Sequence, residues 1–325
     1  MTRRSALRHA IGALALAWVG APAQPAAGHA AARTYRVIDL MPAFWRFWAG
    51  AQRLPPERHA ALLRQTLFIA HPEVYNATVL GLDSTKPLAD ELERRYARWL
   101  PRLQPHIERM RHVSQQIADD LPRYEATFRA AFPDLAYDGE VYFLGSFGAF
   151  DGATRTVKGR TALLFGVDMI ASIYGEAIDP QAFFHHELFH IYHAQVAPER
   201  GDRLIDGLWS EGLALHVAKT LNPSADGVAL FGLPPGMPQR AQQMLPRLAR
   251  ELREQLDSTS SEVYARYFLG SDLDGPVPAR SGYYVGYQVA RRIGANLAPA
   301  ALARLQGPTL RTVVERTLRE LEAAN

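Results

Sequence analysis

Two histidines and a glutamate stand close together in residues 185–190, which read His-His-Glu-Leu-Phe-His. On an α-helix, His186 and His190 lie one turn apart and roughly 40° apart around the axis, so both imidazoles can reach one metal ion. Glu187 is displaced by roughly 100° from His186 and 60° from His190, which puts its carboxylate beside the metal rather than on it. The spacing predicts a metal site with Glu187 as the base for a metal-activated water.

A third ligand is available 21 positions after His190, at Glu211. We expect a helix from Asp206 or Gly207 to just before residues 222–223, and a turn over residues 198–205 can fold it back against the first helix. Two histidines and a glutamate leave a fourth zinc position for water, which is typical of a catalytic site. The chain contains no cysteine, so the ligand types indicate zinc or another divalent ion rather than an iron-sulfur cluster. We expect one Zn²⁺ per chain.

The elements that position these residues can be read from turn and capping signals. Asp179 is a good N-cap with Pro180 at the first helical position, and the metal-binding helix should end before Pro198. Residues 141–150 and 161–169 read as strands, joined by a glycine-containing turn around 151–159. The second of these strands is a candidate to pair with an extended peptide at a sheet edge.

Helical periodicity dominates the rest of the chain. Between residues 55 and 131 it predicts several helices, broken near 71–72, Pro101, Pro105 and Pro122. Thr259 and Glu262 predict a capping box, and further helices are expected from Ser281 or Gly282 to Ile293 and over 309–322. These elements predict an α+β fold, predominantly helical, with a small, mainly antiparallel sheet before the metal-binding helix. We expect one unit over residues 24–325, with a helical N-terminal part at 37–136 and the sheet and catalytic helices at 137–325.

The first 23 residues predict a signal peptide, and a second cleavage site would extend it to about residue 30. Arg3, Arg4 and Arg8 precede a short apolar run, as in a Sec or twin-arginine signal, and we expect a periplasmic or secreted protein with no membrane anchor after cleavage. Removing these three arginines from the 36 basic residues leaves 33, equal to the 33 acidic ones. The mature chain is therefore about neutral and has no electrostatic signature of nucleic-acid binding. Its oligomeric state is left open.

The motifs together resemble those of the gluzincins, zinc peptidases of the zincin-like fold, and most closely the bacterial predicted Zn-dependent protease domains. The resemblance covers roughly residues 141–293 and includes the Glu-Gly-x-Ala segment at 211–214 and the tyrosine-rich segment at 282–287. It implies His186, His190 and Glu211 as zinc ligands and Glu187 as the base. It also implies Tyr283 near the substrate, where its hydroxyl could stabilise a developing oxyanion. The Gly-x-Met-Glu-Asn segment of related aminopeptidases is absent, which argues against aminopeptidase activity.

Several neighbours of these residues have competing interpretations. Tyr284 and Tyr287 compete with Tyr283 for the site. Asp202 and Asp206 could each accept the second imidazole N–H of a ligand histidine, although Asp206 also reads as an N-cap. Three further histidines are expected to be packing, surface or cleft residues rather than ligands: His185, His193 and His216.

The leading functional hypothesis is an exported zinc metallopeptidase that hydrolyses peptide bonds in a peptide or protein substrate. One alternative is a catalytically weak or inactive binding protein on a peptidase fold. Another is a zinc hydrolase that acts on non-peptide amides or esters.

Overall fold

The computed structural model describes residues 35–177, 179–198, 201–269 and 275–324. They form two compact units, each built from separated stretches of the chain. We call the described residues of 33–119 and 137–178 the sheet unit, and those of 120–136 and 179–325 the helical unit. The expected signal peptide lies outside the described residues. Within the described ranges, no helix combines the length and apolar character needed to cross a bilayer.

The sheet unit begins with strand β1 and a series of helices. Their bounds are β1 Arg36–Asp39, α1 Met41–Ala51, α2 His59–Leu63, a π-helical turn Arg64–Phe68, α3 Ala77–Leu80, α4 Leu88–Leu103 and α5 Ile107–Ala131, of which residues 107–119 belong here. The breaks expected at 71–72 and at Pro105 are confirmed. Those expected at Pro101 and Pro122 are wrong, since both prolines lie inside helices.

Helix α5 continues through Pro122 because its apolar face stabilises it on both sides of the proline. A proline in a helix removes one backbone hydrogen bond and crowds the preceding turn, but packing can offset that cost. Leu121, Tyr124 and Phe128 are all buried, and Phe128 is fully so. A break predicted from the proline alone does not include this tertiary contribution.

The sheet has four strands in the order β1-β2-β4-β3. The remaining elements of this unit are β2 Glu140–Leu144, β3 Gly152–Val157, β4 Arg160–Gly166 and α6 Val167–Tyr174. Strand β2 pairs in parallel with both β1 and β4, and only the pairing of β3 with β4 is antiparallel. The α+β, predominantly helical class is confirmed, but the expectation of a mainly antiparallel sheet is wrong. The parallel pairs are joined by long connections, which leave no short-range signal in the sequence.

The two expected strands are also shorter than predicted. Residues 145–150 form a loop, in which the backbone N–H groups of Ser146 and Gly148 donate to the buried carboxylate of Asp168. Strand β3 occupies most of the expected turn, and the real turn is Lys158-Gly159, whose two positive φ angles are those of a type I′ hairpin turn. Strand β4 has neighbours on both sides, so it is not an edge to which a peptide could add.

The helical unit carries the predicted metal-binding residues. Its helices are α7 Pro180–Val196, α8 Leu204–Leu221, α9 Gly227–Phe231, α10 Met237–Gln243, α11 Leu245–Glu254, α12 Ser261–Phe268, α13 Ser281–Ile293, α14 Pro299–Leu302 and α15 Gly307–Ala323. Helix α8 is buried around most of its circumference and packs against both α7 and α13. This central position brings residues of three helices to one place.

The ends predicted for these helices agree with the observed ends to within a few residues. Asp179 caps α7 by accepting a hydrogen bond from the backbone N–H of Ala182 at 3.0 Å, and α7 ends before Pro198. Helix α8 starts at Leu204, slightly earlier than expected, with the Asp206 carboxylate accepting from the backbone N–H of Arg203. Helix α12 is capped by Ser260 rather than by Thr259.

Candidate metal centre

The two histidines of α7 point the same ring nitrogens at each other. Their Nε2 atoms are 3.2 Å apart, and the two rings are nearly perpendicular, at 84°. The side chains of His186 and His190 are 13% and 18% exposed, so the pair is reachable from solvent. The one-turn spacing thus gives two imidazole nitrogens on one partly open face of the helix.

Glu211 of α8 completes a triangle with this pair. Its Oε2 atom lies 3.5 Å from the Nε2 atoms of both His186 and His190. Its side chain is only 4% exposed, so the carboxylate approaches from the buried side. Within the ranges that the structure describes, these three side chains are the group placed to hold a metal ion.

The triangle fits a tetrahedral zinc ion. With zinc–nitrogen and zinc–oxygen bonds of about 2.0–2.2 Å, tetrahedral geometry separates neighbouring ligand atoms by roughly 3.3–3.6 Å. The three observed separations are 3.2, 3.5 and 3.5 Å. Two imidazoles and one carboxylate are also the ligand types of hydrolytic zinc sites. Three acceptor atoms at these distances repel one another unless protons or a cation lie among them.

The charge state of Glu211 is consistent with a ligand. Burial alone favours the neutral acid, but the imidazoles of His190 and His186 outweigh burial and hold the pKa of Glu211 below its ordinary value. The carboxylate is therefore ionised at neutral pH, as metal coordination requires.

Two histidines of α7, His190 and His185, contact residues of α8 or its C-terminal end. Ser210 Oγ lies 3.3 Å from Nδ1 of His190, and an imidazole that presents Nε2 to a metal carries its proton on Nδ1, where Ser210 can accept it. His185, which faces away from the pair, is fully buried between the Tyr124 carbonyl and the Asn222 side chain, each at 2.9 Å. Burial lowers the pKa of His185, so this neutral ring connects α7 to the end of α8.

Two glycines allow α8 and α13 to touch backbone to backbone. A Cβ added to Gly212 would overlap the backbone of Gly286, and one added to Gly286 would lie 3.0 Å from Gly212 Cα and overlap the carbonyl oxygen of Leu208. Gly212 directly follows Glu211, the candidate ligand, and Gly286 lies about one turn after Tyr283. The close crossing therefore sets the position of Tyr283 relative to Glu211.

The structure distinguishes the three candidate tyrosines of α13. Tyr283 is 5% exposed; burial raises its pKa well above the ordinary value, and the charges of Glu211 and Glu187 add to the effect. Tyr284 instead donates its hydroxyl to Gln242 Oε1. Tyr287 packs against Phe231, with ring centroids 5.4 Å apart.

Tyr283 is thus the tyrosine of this segment that lies in the electrostatic field of the candidate site. Glu187, the expected base, is half-buried on α7. Its charge acts on Tyr283, which places the two side chains within electrostatic range of each other.

The remaining sequence candidates lie elsewhere. His193 is buried and stacks on Phe189 with ring centroids 5.3 Å apart. His216 is half-buried, and its ring lies 6.4 Å from that of Tyr287. Asp202 is exposed, and Asp206 serves the start of α8. It is Ser210, rather than either aspartate, that contacts the ring of His190.

Three residues near the site were not singled out by the sequence. Ser210 contacts His190, and Arg280 stacks on Tyr283 with its Cζ atom 4.4 Å from the ring centroid. Tyr264 of α12 lies against α8 near Gly207, and both Glu211 and Arg280 act on its pKa, which burial raises. Ser210 precedes Glu211 directly and could have been proposed from that position. Arg280 and Tyr264 come from other elements and have no motif of their own.

One known protein family matches the part of the chain that contains this candidate centre. Residues 172–297 match the family model described as predicted Zn-dependent protease (DUF2268). The matched stretch begins within α6 and includes α7, α8 and α13, so it contains every residue of the candidate centre, while the strands lie outside it. No curated protein and no solved structure gives a match to the chain. The resemblance predicted from the motifs is confirmed at this level: over residues 172–297, the chain matches the family of predicted Zn-dependent proteases.

Proposed function

We propose that this protein is an exported zinc-dependent peptidase, with His186, His190 and Glu211 as zinc ligands and Glu187 as the general base. The observation that carries the proposal is the triangle of ligand atoms, with edges of 3.2 to 3.5 Å, on two helices whose histidines are partly exposed. A structural zinc site would close all four positions with protein ligands. Export rests on the leader-like first 23 residues.

Zinc bound here would supply a Lewis acid that makes water a stronger acid and polarises a carbonyl group. The chain's own residues would handle the protons. The Glu187 carboxylate takes a proton from the attacking water and delivers it to the leaving nitrogen, so that water and a peptide bond become a carboxylic acid and an amine. Glu187 is half-buried, so part of its side chain is accessible to solvent.

Tyr283 would stabilise the negative charge that develops on the carbonyl oxygen. Since burial keeps its pKa well above 10, the phenol is protonated at neutral pH and can donate a hydrogen bond. A donor placed in advance in a buried site stabilises such charge more than water does. Tyr264, whose phenol lies in the field of the same carboxylate, is a second candidate for this donor.

The deciding experiment compares the mature protein with Glu187→Gln and His190→Ala. We expect one zinc per chain in wild type and in Glu187→Gln, and loss of zinc in His190→Ala. Peptide hydrolysis should fall by about 10²- to 10⁴-fold in Glu187→Gln, because that is the usual contribution of a general base. Equal cleavage by Glu187→Gln and wild type would show that Glu187 is not the base.

Substrate assays separate the alternative functions. If the zinc-loaded wild type cleaves no member of a broad peptide library, a binding protein on a peptidase fold becomes the better explanation. If it hydrolyses small amides or esters but no peptides, it is a hydrolase of non-peptide substrates.

A further inference from the structure

An arginine lies beside the tyrosine assigned to the reacting carbonyl. The Cζ atom of Arg280 is 4.4 Å from the centroid of the Tyr283 ring, and the side chain is half-buried. A guanidinium that stacks on an aromatic face directs its N–H donors outward in its own plane. The planar arrangement of those donors matches the two oxygens of a carboxylate.

The backbone holds Arg280 in an uncommon conformation. Its φ is 63°, in the left-handed region that residues with long side chains rarely adopt. Two backbone hydrogen bonds flank this residue. The Arg280 carbonyl accepts from the N–H of Tyr283 at 3.1 Å, and the Pro278 carbonyl accepts from the N–H of Ser281 at 3.0 Å. Strained backbone of this kind is often found at ligand-binding sites.

Arg280 contributes positive charge near the hydroxyl groups of Tyr283 and Tyr264. Two carboxylates act on Tyr283, those of Glu211 and Glu187, and Arg280 is the guanidinium that acts on both Tyr283 and Tyr264. In the proposed mechanism, Glu211 binds the metal and Glu187 carries the proton. The positive charge of Arg280 lies next to the proposed oxyanion donor, a position suited to attracting an anionic group on the substrate.

We propose that Arg280 binds a carboxylate of the peptide substrate close to the cleaved bond, so that the site prefers peptides with a negative charge there. This inference rests on the proposed function and specifies its substrate class. Two carboxylates have this chemistry, the α-carboxylate at the end of a peptide and the side chain of aspartate or glutamate. The first would make the protein a carboxypeptidase, and the second an endopeptidase with acidic specificity.

The test uses two matched sets of peptides with the full mature protein. In one set the C-terminus is a free carboxylate or an amide, and in the other a glutamate beside the cleaved bond is replaced by glutamine. We expect wild type to prefer the carboxylate in one set by about tenfold to a hundredfold in kcat/KM, the range for a hydrogen bond to a charged group. Arg280→Gln should reduce this ratio to about 1, and Arg280→Lys should retain part of it.

Arg266→Gln is the matched control. Arg266 also stacks on a tyrosine in this unit, with its Cζ atom 5.5 Å from the Tyr267 ring, but it pairs with Glu251 at the surface. The carboxylate preference of this variant should equal that of wild type. If Arg280→Gln keeps the wild-type ratio, even with lower activity, Arg280 only supports Tyr283 and the inference is wrong.

Binding separates this inference from the proposed function. The dissociation constants of the same peptides are measured on zinc-loaded Glu187→Gln, with and without Arg280→Gln. A carboxylate preference that disappears with Arg280→Gln supports the inference even if wild type cleaves nothing. Equal affinity for charged and neutral peptides, together with no preference in cleavage, would overturn it.

Discussion

The crossing of α8 and α13 allows a sharp test of how the site is assembled. In Gly286→Ala, the new methyl group would lie 3.0 Å from Gly212 Cα and overlap the carbonyl oxygen of Leu208. Carbon atoms in contact are normally about 3.5–4.0 Å apart, so the two helices must move apart by roughly 0.5–1 Å. The movement separates Tyr283 on α13 from Glu211 on α8, whereas the proposed zinc ligands on α7 and α8 stay together.

General magnitudes give a range for the change in unfolding free energy. Overpacking of this kind lowers the unfolding free energy by about 1–3 kcal/mol. Replacing glycine by alanine in a helix raises it by about 1 kcal/mol. We therefore expect Gly286→Ala to lose about 0–2 kcal/mol of unfolding free energy and to remain folded. A displacement of about 1 Å in a catalytic group can lower the rate by about 10²-fold, so kcat should fall by about 10- to 100-fold at full zinc content.

The assay measures zinc content, urea denaturation and kcat on one peptide. Arg292→Ala, an exposed change on the same helix, serves as the control and should leave all three values near those of wild type. Unchanged kcat in Gly286→Ala would refute the view that the glycine contact positions Tyr283. Loss of zinc in proportion to activity would show that the contact supports the ligands instead.

Three further predictions concern the neighbourhood of the site. Ser210→Ala should weaken zinc affinity by about 10- to 100-fold, because the contact that orients His190 is lost; competition with a chelator measures this, and an unchanged affinity would exclude the role. Asp179→Ala should lower the unfolding free energy by about 1 kcal/mol in urea, since the cap of α7 is removed, while an unchanged value would mean that the cap contributes nothing. Burial lowers the pKa of His216, with Arg291 adding to the effect, so the unfolded chain gains this proton below about pH 6.5 before the folded protein does. Stability should therefore fall with acidification below that pH by at most about 1.4 kcal/mol per pH unit from this residue; His216→Gln should show a shallower decline, and parallel curves for the two proteins would contradict the assignment.

Helix ends were predictable because their causes are local. Asp179 and Pro180 start α7, Pro198 follows its end, and each acts through bonds to residues a few positions away. The one-turn spacing of His186 and His190 is local in the same sense, since a helix places both rings on one face whatever surrounds it. These features require only a stretch of a few residues to be read correctly.

The sheet was harder because its pairing joins distant residues. Val37 lies opposite Val141 in a parallel pair, and no turn residue signals a contact between strands so far apart in the chain. Pro122 shows the converse case. Its helix-breaking tendency is outweighed by the packing of buried side chains on the same helix. Strand β3 was hidden because its flanking glycines suggested a turn.

The pattern of amino acids was sufficient to propose the three metal-ligating side chains and the glutamate beside them, and to predict the family that residues 172–297 match. Their meeting point required the folded chain, because the approach of Glu211 to within 3.5 Å of both imidazoles depends on packing between α7 and α8. The same holds for the glycine crossing that selects Tyr283 and for the stacking of Arg280. Spacing along one helix specifies which side chains share a face, whereas contacts between helices depend on how whole surfaces fit together, and no short segment contains that information.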